Sequence, residues 1–461
     1  MSEAKSSRDR DIAHVLHGYT NLKAHVQQGP MVIESGEGVY VRDSAGRRYI
    51  EGLAGLWNVA LGFGEPRLVQ AAARQLERLP FYHNFSHKSH DPLIDLAEKL
   101  VAMAPATMSK VYFANSGSEA NDSAIKMIWY RSNALGEPKR KKILSRARAY
   151  HGVTIASASL TGLANNHRSF DLPLPQFVHL GSPHYWREGQ PGESEESFAT
   201  RLAEELEATI LREGPDTVAA FFAEPVMGAG GVVVPPRTYW EKVQAVLRKY
   251  DVLLVADEVI CGFGRTGRMF GCETFQIKPD AIVLSKQLTS GYVPMSALLV
   301  NERFYGPVAE ESGRIGVFGH GFTGGGHPLA AAVALETIKI MEERNLVEHA
   351  ARVGRVMLDR LKALESHPLV GEVRGVGLIA AVELVLDKGA KKAGRTPGDL
   401  GTLVNAYLTE RGVISRNMQD AIAFCPPLII TAAQVGEMVD AFTGALDAAA
   451  AKLGTRPGAI K

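Results

Sequence analysis

"VLLVADEV", residues 252–259, is an apolar run of strand length that ends on two carboxylates. Strict alternation would mark a strand with one wet face; an unbroken run marks a strand covered on both faces, as in a parallel sheet between layers of helices. The same pattern recurs in "KVYFAN" (110–115), "KKILSRA" (141–147), "TVAAFFAEP" (217–225) and "AIVLSK" (281–286), with helical stretches between them. Strands that alternate with helices predict βαβ units. We therefore expect an α/β protein whose main sheet is mostly parallel.

Three of these runs stop at charge: at Glu224, at Asp257 and at Lys286. Ligands of open parallel sheets bind outside the carboxyl ends of the strands, so the three side chains are expected to converge on one crevice. A single strand-end acid is more often a helix cap or a solvated turn. An acid and a lysine buried together are costly unless they share a charged ligand. A phosphate site is legible too. "KVYFANSGSEANDSAIKMIWYRS" (110–132) runs from a strand through Ser116, Gly117 and Ser118 into a helix expected to begin near Glu119. A small-residue turn feeding a helix offers free N–H groups and a positive dipole end. Plain capping by Ser118 is the simpler alternative.

The flanks read differently. Residues 32–62 break into short strand-like pieces around a "DSAG" turn, which predicts a small antiparallel sheet. Beyond residue 327 the apolar period is that of long amphipathic helices, and "GEVRGVGLIAAVEL" (371–384) returns as a strand pair. We expect a large domain over 75–327 and a smaller α+β domain made from 1–74 and 328–461. A chain of 461 residues, 46% hydrophobic and 22% charged, suffices for both. Residues 1–10 and 453–461 are expected to fray, and 187–197 ("REGQPGESEES") to form an exposed loop.

Fifty-one basic residues against fifty acidic ones leave a formal charge of +1. No bulk field draws the chain to nucleic acid or to an anionic membrane, so small molecules are the expected partners. Cysteines 261, 272 and 425 form no C-x-x-C pair, which fits a reducing compartment; we expect a cytoplasmic protein. The first residues are polar and lack an apolar signal core, and no stretch has the apolar length of a bilayer span. Two patterns mislead. "GFGRTG" (262–267) satisfies a dinucleotide fingerprint, yet no long helix is expected to follow it. His83, His87 and His90 mimic a metal-ligand spacing, but the set needed to complete a site is missing and no metal is expected.

Six blocks, "NSGSEAN" (115–121), "YHG" (150–152), "AEPVMGAGG" (223–231), "DEVICGFGRTG" (257–267), "SKQLTSGY" (285–292) and "HGFTGGGHP" (320–328), stand in one order along the chain. In that order they resemble the class III aminotransferases, fold type I enzymes of pyridoxal 5′-phosphate, and most closely the amine:pyruvate or ω-transaminase subgroup. The resemblance implies that Lys286 links covalently to the cofactor aldehyde and later carries the proton, while Asp257 pairs with the pyridine nitrogen. It places Val259 under one ring face and Tyr150 over the other, with His151 and Glu224 beside them. It assigns the phosphate to Ser116, Gly117 and Ser118, and to Thr323 of a second subunit, so that a homodimer shares its sites, with a tetramer as the alternative assembly. Trp57, Phe85, Tyr150 and Ile260 match substrate-pocket walls. Arg416 matches a mobile arginine that grips a keto-acid carboxylate through two parallel hydrogen bonds. One departure is plain: Gly324, Gly325 and Gly326 follow Thr323, which predicts a more pliable loop.

The activity implied is ping-pong transfer of an amino group from an amine or ω-amino acid to a keto acid, pyruvate in the first place. A γ-aminobutyrate-type enzyme using 2-oxoglutarate and an aminomutase are the alternatives. Transcription regulators with aminotransferase-like domains carry a helix-turn-helix domain, for which the residues before Asp11 leave no room.

Overall fold

The computed structural model describes residues 6–454. Three strands come first, β1 (Ile33–Glu37), β2 (Tyr40–Asp43) and β3 (Arg48–Glu51). Seven follow: β4 (Lys110–Ala114), β5 (Lys142–Arg146), β6 (Phe177–Leu180), β7 (Val218–Ala223), β8 (Leu253–Asp257), β9 (Ala281–Leu284) and β10 (Ser296–Val300). Five short strands close the chain: β11 (Val370–Val376), β12 (Ile379–Leu384), β13 (Val413–Ile414), β14 (Arg416–Met418) and β15 (Ala421–Phe424).

The seven middle strands form one sheet in the order β4-β10-β9-β8-β7-β5-β6. Strands β5 to β9 pair in parallel, and β10 alone runs against its neighbours. Every residue of β7, β8 and β9 is buried, which is why these strands carry no polar alternation. Successive side chains enter different cores. Phe221, Leu254 and Ile282 face a layer holding Trp240 and Leu247. Their neighbours Phe222, Val255 and Val283 face Ile125 and Ile128 of the helix Gly117–Ala134 and Phe304 of the helix Glu302–Ile315. Each such side chain contributes roughly 1.5–3 kcal/mol by leaving water.

Strands β1, β2 and β3 form an antiparallel meander, and β13 from the far end of the chain pairs in parallel with β3. The expected pair at 371–384 is the antiparallel β11–β12, continued by β15 and β14. Long helices fill the stretch between, Pro328–Glu343 and Leu346–Lys362.

Three expectations change. Residues 6–10 are not frayed, because Ser6 and Asp9 form a capping box that starts the helix Ser7–His14. Leu453 still belongs to the last helix, Ala432–Leu453, and Gly454 caps it; residues 1–5 and 455–461 lie outside the described residues. The loop expected at 187–197 is shorter, since Ser194 caps a helix that begins at Glu195. Among the described residues, no helix is long and apolar enough to cross a membrane.

Two glycines inside helices predict opposite responses to alanine. At Gly354 a Cβ would lie 2.2 Å from the carbonyl oxygen of Gly377, in the turn between β11 and β12, whereas at Gly313 nothing lies within 4 Å. Gly354→Ala should cost roughly 1–3 kcal/mol through overpacking, and Gly313→Ala should add about 0.5–1 kcal/mol through helix propensity. Thermal midpoints of the two variants should therefore move in opposite directions; a shift of the same sign would show that the Gly354 contact relaxes freely.

Candidate active site

Asp257, the last residue of β8, is 3% exposed. A carboxylate in that position is unfavourable unless it is held. It is held from three segments. The Val259 N–H donates to Oδ1 at 3.1 Å, the Asn121 amide donates to Oδ2 at 2.9 Å, and His151 Nδ1 donates to Oδ2 at 2.8 Å. Asn121 also donates to the His151 carbonyl at 2.7 Å, so amide and imidazole fix each other.

Lys286 follows β9 by two residues and opens a short 3-10 helix, Lys286–Thr289. Its φ is +44°, in the left-handed region that costs a non-glycine residue about 1–3 kcal/mol. Hydrogen bonds hold the strained turn in place: Ser285 Oγ donates to the Met295 carbonyl at 2.8 Å, and Gln287 Nε2 donates to the Ile260 carbonyl at 2.8 Å. Burial pushes the Lys286 amine below its usual pKa, and the Asp257 and Glu224 carboxylates oppose that shift. Glu224, one residue past β7, is buried and its carboxyl is raised by that burial. Its oxygens accept from the N–H groups of Tyr150, at 3.1 Å, and Gly228, at 2.9 Å.

The helix Gly117–Ala134 begins two residues earlier than expected, because Ser116 rather than Ser118 is its cap: Ser116 Oγ accepts from the Glu119 N–H at 3.2 Å. Ser118 Oγ instead accepts from the Val153 N–H at 3.1 Å. The N–H groups of Gly117 and Ser118 fall in the first turn, where a helix supplies no acceptor of its own. A Cβ on Gly117 would come within 3.2 Å of Val259 Cγ2, so glycine lets the helix end approach that side chain. One cavity is lined by Gly117, Ser118, Asn121, Tyr150, His151, Glu224, Asp257, Val259, Ile260 and Lys286. It opens at the carboxyl ends of β4, β7, β8 and β9.

The family model for "Aminotransferase class-III" matches residues 22–446. The chain belongs to the class III aminotransferases. An ω-transaminase from Pseudomonas jessenii, solved in complex with PMP, superposes with a TM-score of 0.97 at 58% identity, covering 98% of this chain and all of that one. A transaminase solved with L-alanine is 66% identical over 92% of this chain and all of its own, with a TM-score of 0.91. A mitochondrial γ-aminobutyrate transaminase of Solanum lycopersicum is 50% identical over 90% of this chain and 81% of its own length.

Other residues expected in this aminotransferase site lie around the cavity or away from it. Ser116 caps the helix and does not line the cavity. Trp57 is buried in a cluster with Ile260, Leu53 and Met418 and has a φ of +63°. Arg416, in β14, pairs with no carboxylate among the described residues; its guanidinium lies 5.8 Å from the ring centroid of Tyr19. The Tyr19 ring stands edge-on to Tyr150 at 6.4 Å. Phe85 and Thr323 are not brought to Lys286 within one chain. Phe85 lines a separate cavity with Tyr112, His320 and Phe322, and Thr323 is exposed. The three glycines after Thr323 have a reason other than pliability: at Gly325 a Cβ would sit 2.6 Å from the Phe113 carbonyl, and at Gly326, with φ +72°, 2.8 Å from Leu93. That loop runs hard against β4. Of the misleading histidines, His90 caps the helix Asp91–Met103 and bonds to the Gly326 carbonyl, while His83 accepts from the Phe85 N–H. "GFGRTG" is followed by the five-residue helix Gly271–Phe275.

Two residues escaped the reading of the sequence. Asn121 lies one helical turn after Gly117, so a helix starting at Gly117 puts both on one face; that spacing could have revealed it. Tyr19 has no local signal, since only the tertiary fold brings it to Tyr150.

The electrostatics predict a measurable titration. In the apo chain the Lys286 amine should lose its proton below 10.5, its ordinary value. Asp257→Asn, which removes an acid that stabilises the ammonium, should lower the midpoint further. The check is 13C NMR of the reductively methylated protein, with the Lys286 resonance assigned by its loss in Lys286→Arg. A wild-type midpoint at or above the ordinary value, or an upward shift in Asp257→Asn, contradicts this account.

Proposed function

We propose that this aminotransferase moves an amino group from a primary amine or ω-amino acid to pyruvate by ping-pong chemistry, with pyridoxal 5′-phosphate as its cofactor. The observation that carries the proposal is the convergence of a strained, half-buried lysine and a thrice-bonded buried carboxylate in one cavity below a helix N-terminus. The residues suit the cofactor. An ionised Asp257 can hold a proton on a pyridine nitrogen, and first-turn N–H groups at Gly117 and Ser118 suit a phosphate. The gap between Val259 and Tyr150 suits a flat ring. When bound, the cofactor supplies an aldehyde that exchanges nitrogen with both substrates and a protonated ring that accepts the electron pair left on the substrate carbon.

The chain's own residues do the rest. Lys286, whose neutral form burial favours, would act as the nucleophile, then take the proton from the substrate carbon and pass it to the former aldehyde carbon of the cofactor. His151 and Asn121 act through Asp257 as positioning residues. Glu224, tied to the Tyr150 and Gly228 backbone, fixes the loop that carries Tyr150. Arg416 binds the carboxylate of the keto acid, while Trp57, Ile260, Tyr150 and Phe85 limit the size of the amine. Phe85 and Thr323 reach the site from a second subunit, a reading supported by their distance from the Lys286 cavity within one chain. The enzyme is thus at least a homodimer. Segments 1–74 and 328–461 form its smaller domain, an inference supported by the β3–β13 pairing, and 75–327 its larger one. Cytoplasmic placement is supported by three buried free thiols.

Pyruvate is favoured because the similar transaminase was solved with L-alanine, its amino counterpart. A γ-aminobutyrate donor, with 2-oxoglutarate as acceptor, is the second reading, favoured by the tomato relative's activity. A panel of amines and ω-amino acids against both keto acids, followed by absorbance of the cofactor, separates them. Formation of no new amino acid from either acceptor sinks the proposal.

Two variants assign the roles. Lys286→Ala should bind cofactor yet lose at least about 10²–10⁴-fold in turnover, the size of a general acid–base contribution. Arg416→Ala should raise KM for pyruvate by roughly 10- to 100-fold, the equivalent of a lost charged hydrogen-bond pair of ~1.5–3 kcal/mol, and leave KM for a neutral amine within about twofold. Equal losses for both substrates would remove Arg416 from carboxylate binding.

A further inference from the structure

Away from the cavity, three side chains of metal-binding types meet near the start of the described chain. Asp11 lies on the helix Ser7–His14, His25 on the helix Leu22–Gln28, and His17 in the segment between. Nε2 of His17 stands 2.9 Å from Asp11 Oδ1, and Nε2 of His25 stands 3.1 Å from the same oxygen. All three ligand atoms lie within 4.8 Å of one another. Ligand atoms around tetrahedral Zn2+, with bonds of ~2.0–2.2 Å, are about 3.3–3.6 Å apart. Two edges of a coordination shell are therefore already close to the required length.

Both ring nitrogens converge on one oxygen, while Asp11 Oδ2 takes no donor among the described residues. Two nitrogens and an oxygen gathered so closely need shift only slightly to bind one cation in place of the two hydrogen bonds. The rings lie 4.2 Å apart, centroid to centroid, close enough that two protonated imidazolium rings would repel. Two neutral histidines with one carboxylate form a donor set for a first-row divalent cation, with positions left open to water. Side-chain exposures of 29%, 21% and 11% for His17, Asp11 and His25 leave an entry path.

We propose that Asp11, His17 and His25 form a binding site for a divalent cation of the Zn2+ class, which clamps the segment carrying Tyr19. His17 and His25 bracket that residue. Tyr19 has a φ of +51°, its hydroxyl accepts from Asn166 Nδ2 at 2.6 Å, and its ring lies under the Arg416 guanidinium. An ion closing the base of the segment would hold Tyr19 against Arg416 and Tyr150, and so couple cation occupancy to the substrate side of the active site.

The test reads binding, not turnover, and is independent of which amine the enzyme uses. Holoenzyme is equilibrated with zinc chloride, passed into metal-free buffer, and its zinc measured by mass spectrometry. The wild type should retain about one Zn2+ per chain, and the double variant His17→Gln/His25→Gln at least about tenfold less. Circular dichroism and the absorbance of bound cofactor should be unchanged in the variant. Should the double variant fail to fold, Asp11→Asn takes its place in the same comparison. Wild-type retention no greater than that of the variant overturns the proposal, whether neither protein binds zinc or both bind it elsewhere.

Discussion

One carboxylate lies buried at the end of the sheet, and the site is arranged around the need to satisfy it. Burying an ion costs several kcal/mol even after the protein relaxes. Hydrogen bonds to a charged group contribute ~1.5–3 kcal/mol each, so the three bonds to Asp257 together match that cost in order of magnitude and leave little surplus. Each donor comes from a different part of the fold: Asn121 from the helix after β4, His151 from the loop after β5, and Val259 from just beyond β8. The helix end, the stacking loop and the strand end are thereby fixed relative to one another by a single side chain.

The lysine answers a different constraint. Burial favours its neutral form and the nearby acids favour its charged form, so its position decides how much nucleophile is present. A left-handed backbone at residue 286 throws the side chain back over the strand ends, and the strain is borne by the bonds of Ser285 and Gln287 to neighbouring strands and loops. A parallel sheet makes this possible because β4, β7, β8 and β9 all deliver their carboxyl ends to one edge. The antiparallel β10, lying between β4 and β9, leaves that edge intact.

What the sequence disclosed follows from which forces are local. Unbroken apolar runs identified β7, β8 and β9 because burial on both faces leaves no room for polar alternation. The charges at their ends stood out for the same reason. The true helix start at Gly117 was missed because Ser116 and Ser118 are equally good caps by composition; only the competition for the Val153 N–H decides between them. The capping box of Ser6 and Asp9 lay in a stretch whose polarity suggested fraying. Tyr19, Arg416 and Tyr150 meet through tertiary packing alone, and no spacing in the chain encodes their contact.

That contact bears on how one pocket could serve two kinds of substrate. Among the described residues Arg416 has no carboxylate partner, and it rests over the Tyr19 ring. A cation–π contact of this sort contributes ~0.5–2 kcal/mol, less than the ~1.5–3 kcal/mol available from charge-assisted hydrogen bonds to a substrate carboxylate. The ranges overlap, and their midpoints favour the substrate carboxylate by only about 1 kcal/mol. If Arg416 binds the keto acid as proposed, the carboxylate would draw the guanidinium off the ring, and a neutral amine, which offers nothing in exchange, would leave it there. Had an aspartate stood in place of Tyr19, the resting ion pair would rival the substrate and the carboxylate would gain little by entering. An aromatic ring under the arginine keeps the cation occupied without satisfying it, and that intermediate strength lets the same site accept a carboxylate in one half-reaction and dispense with it in the other.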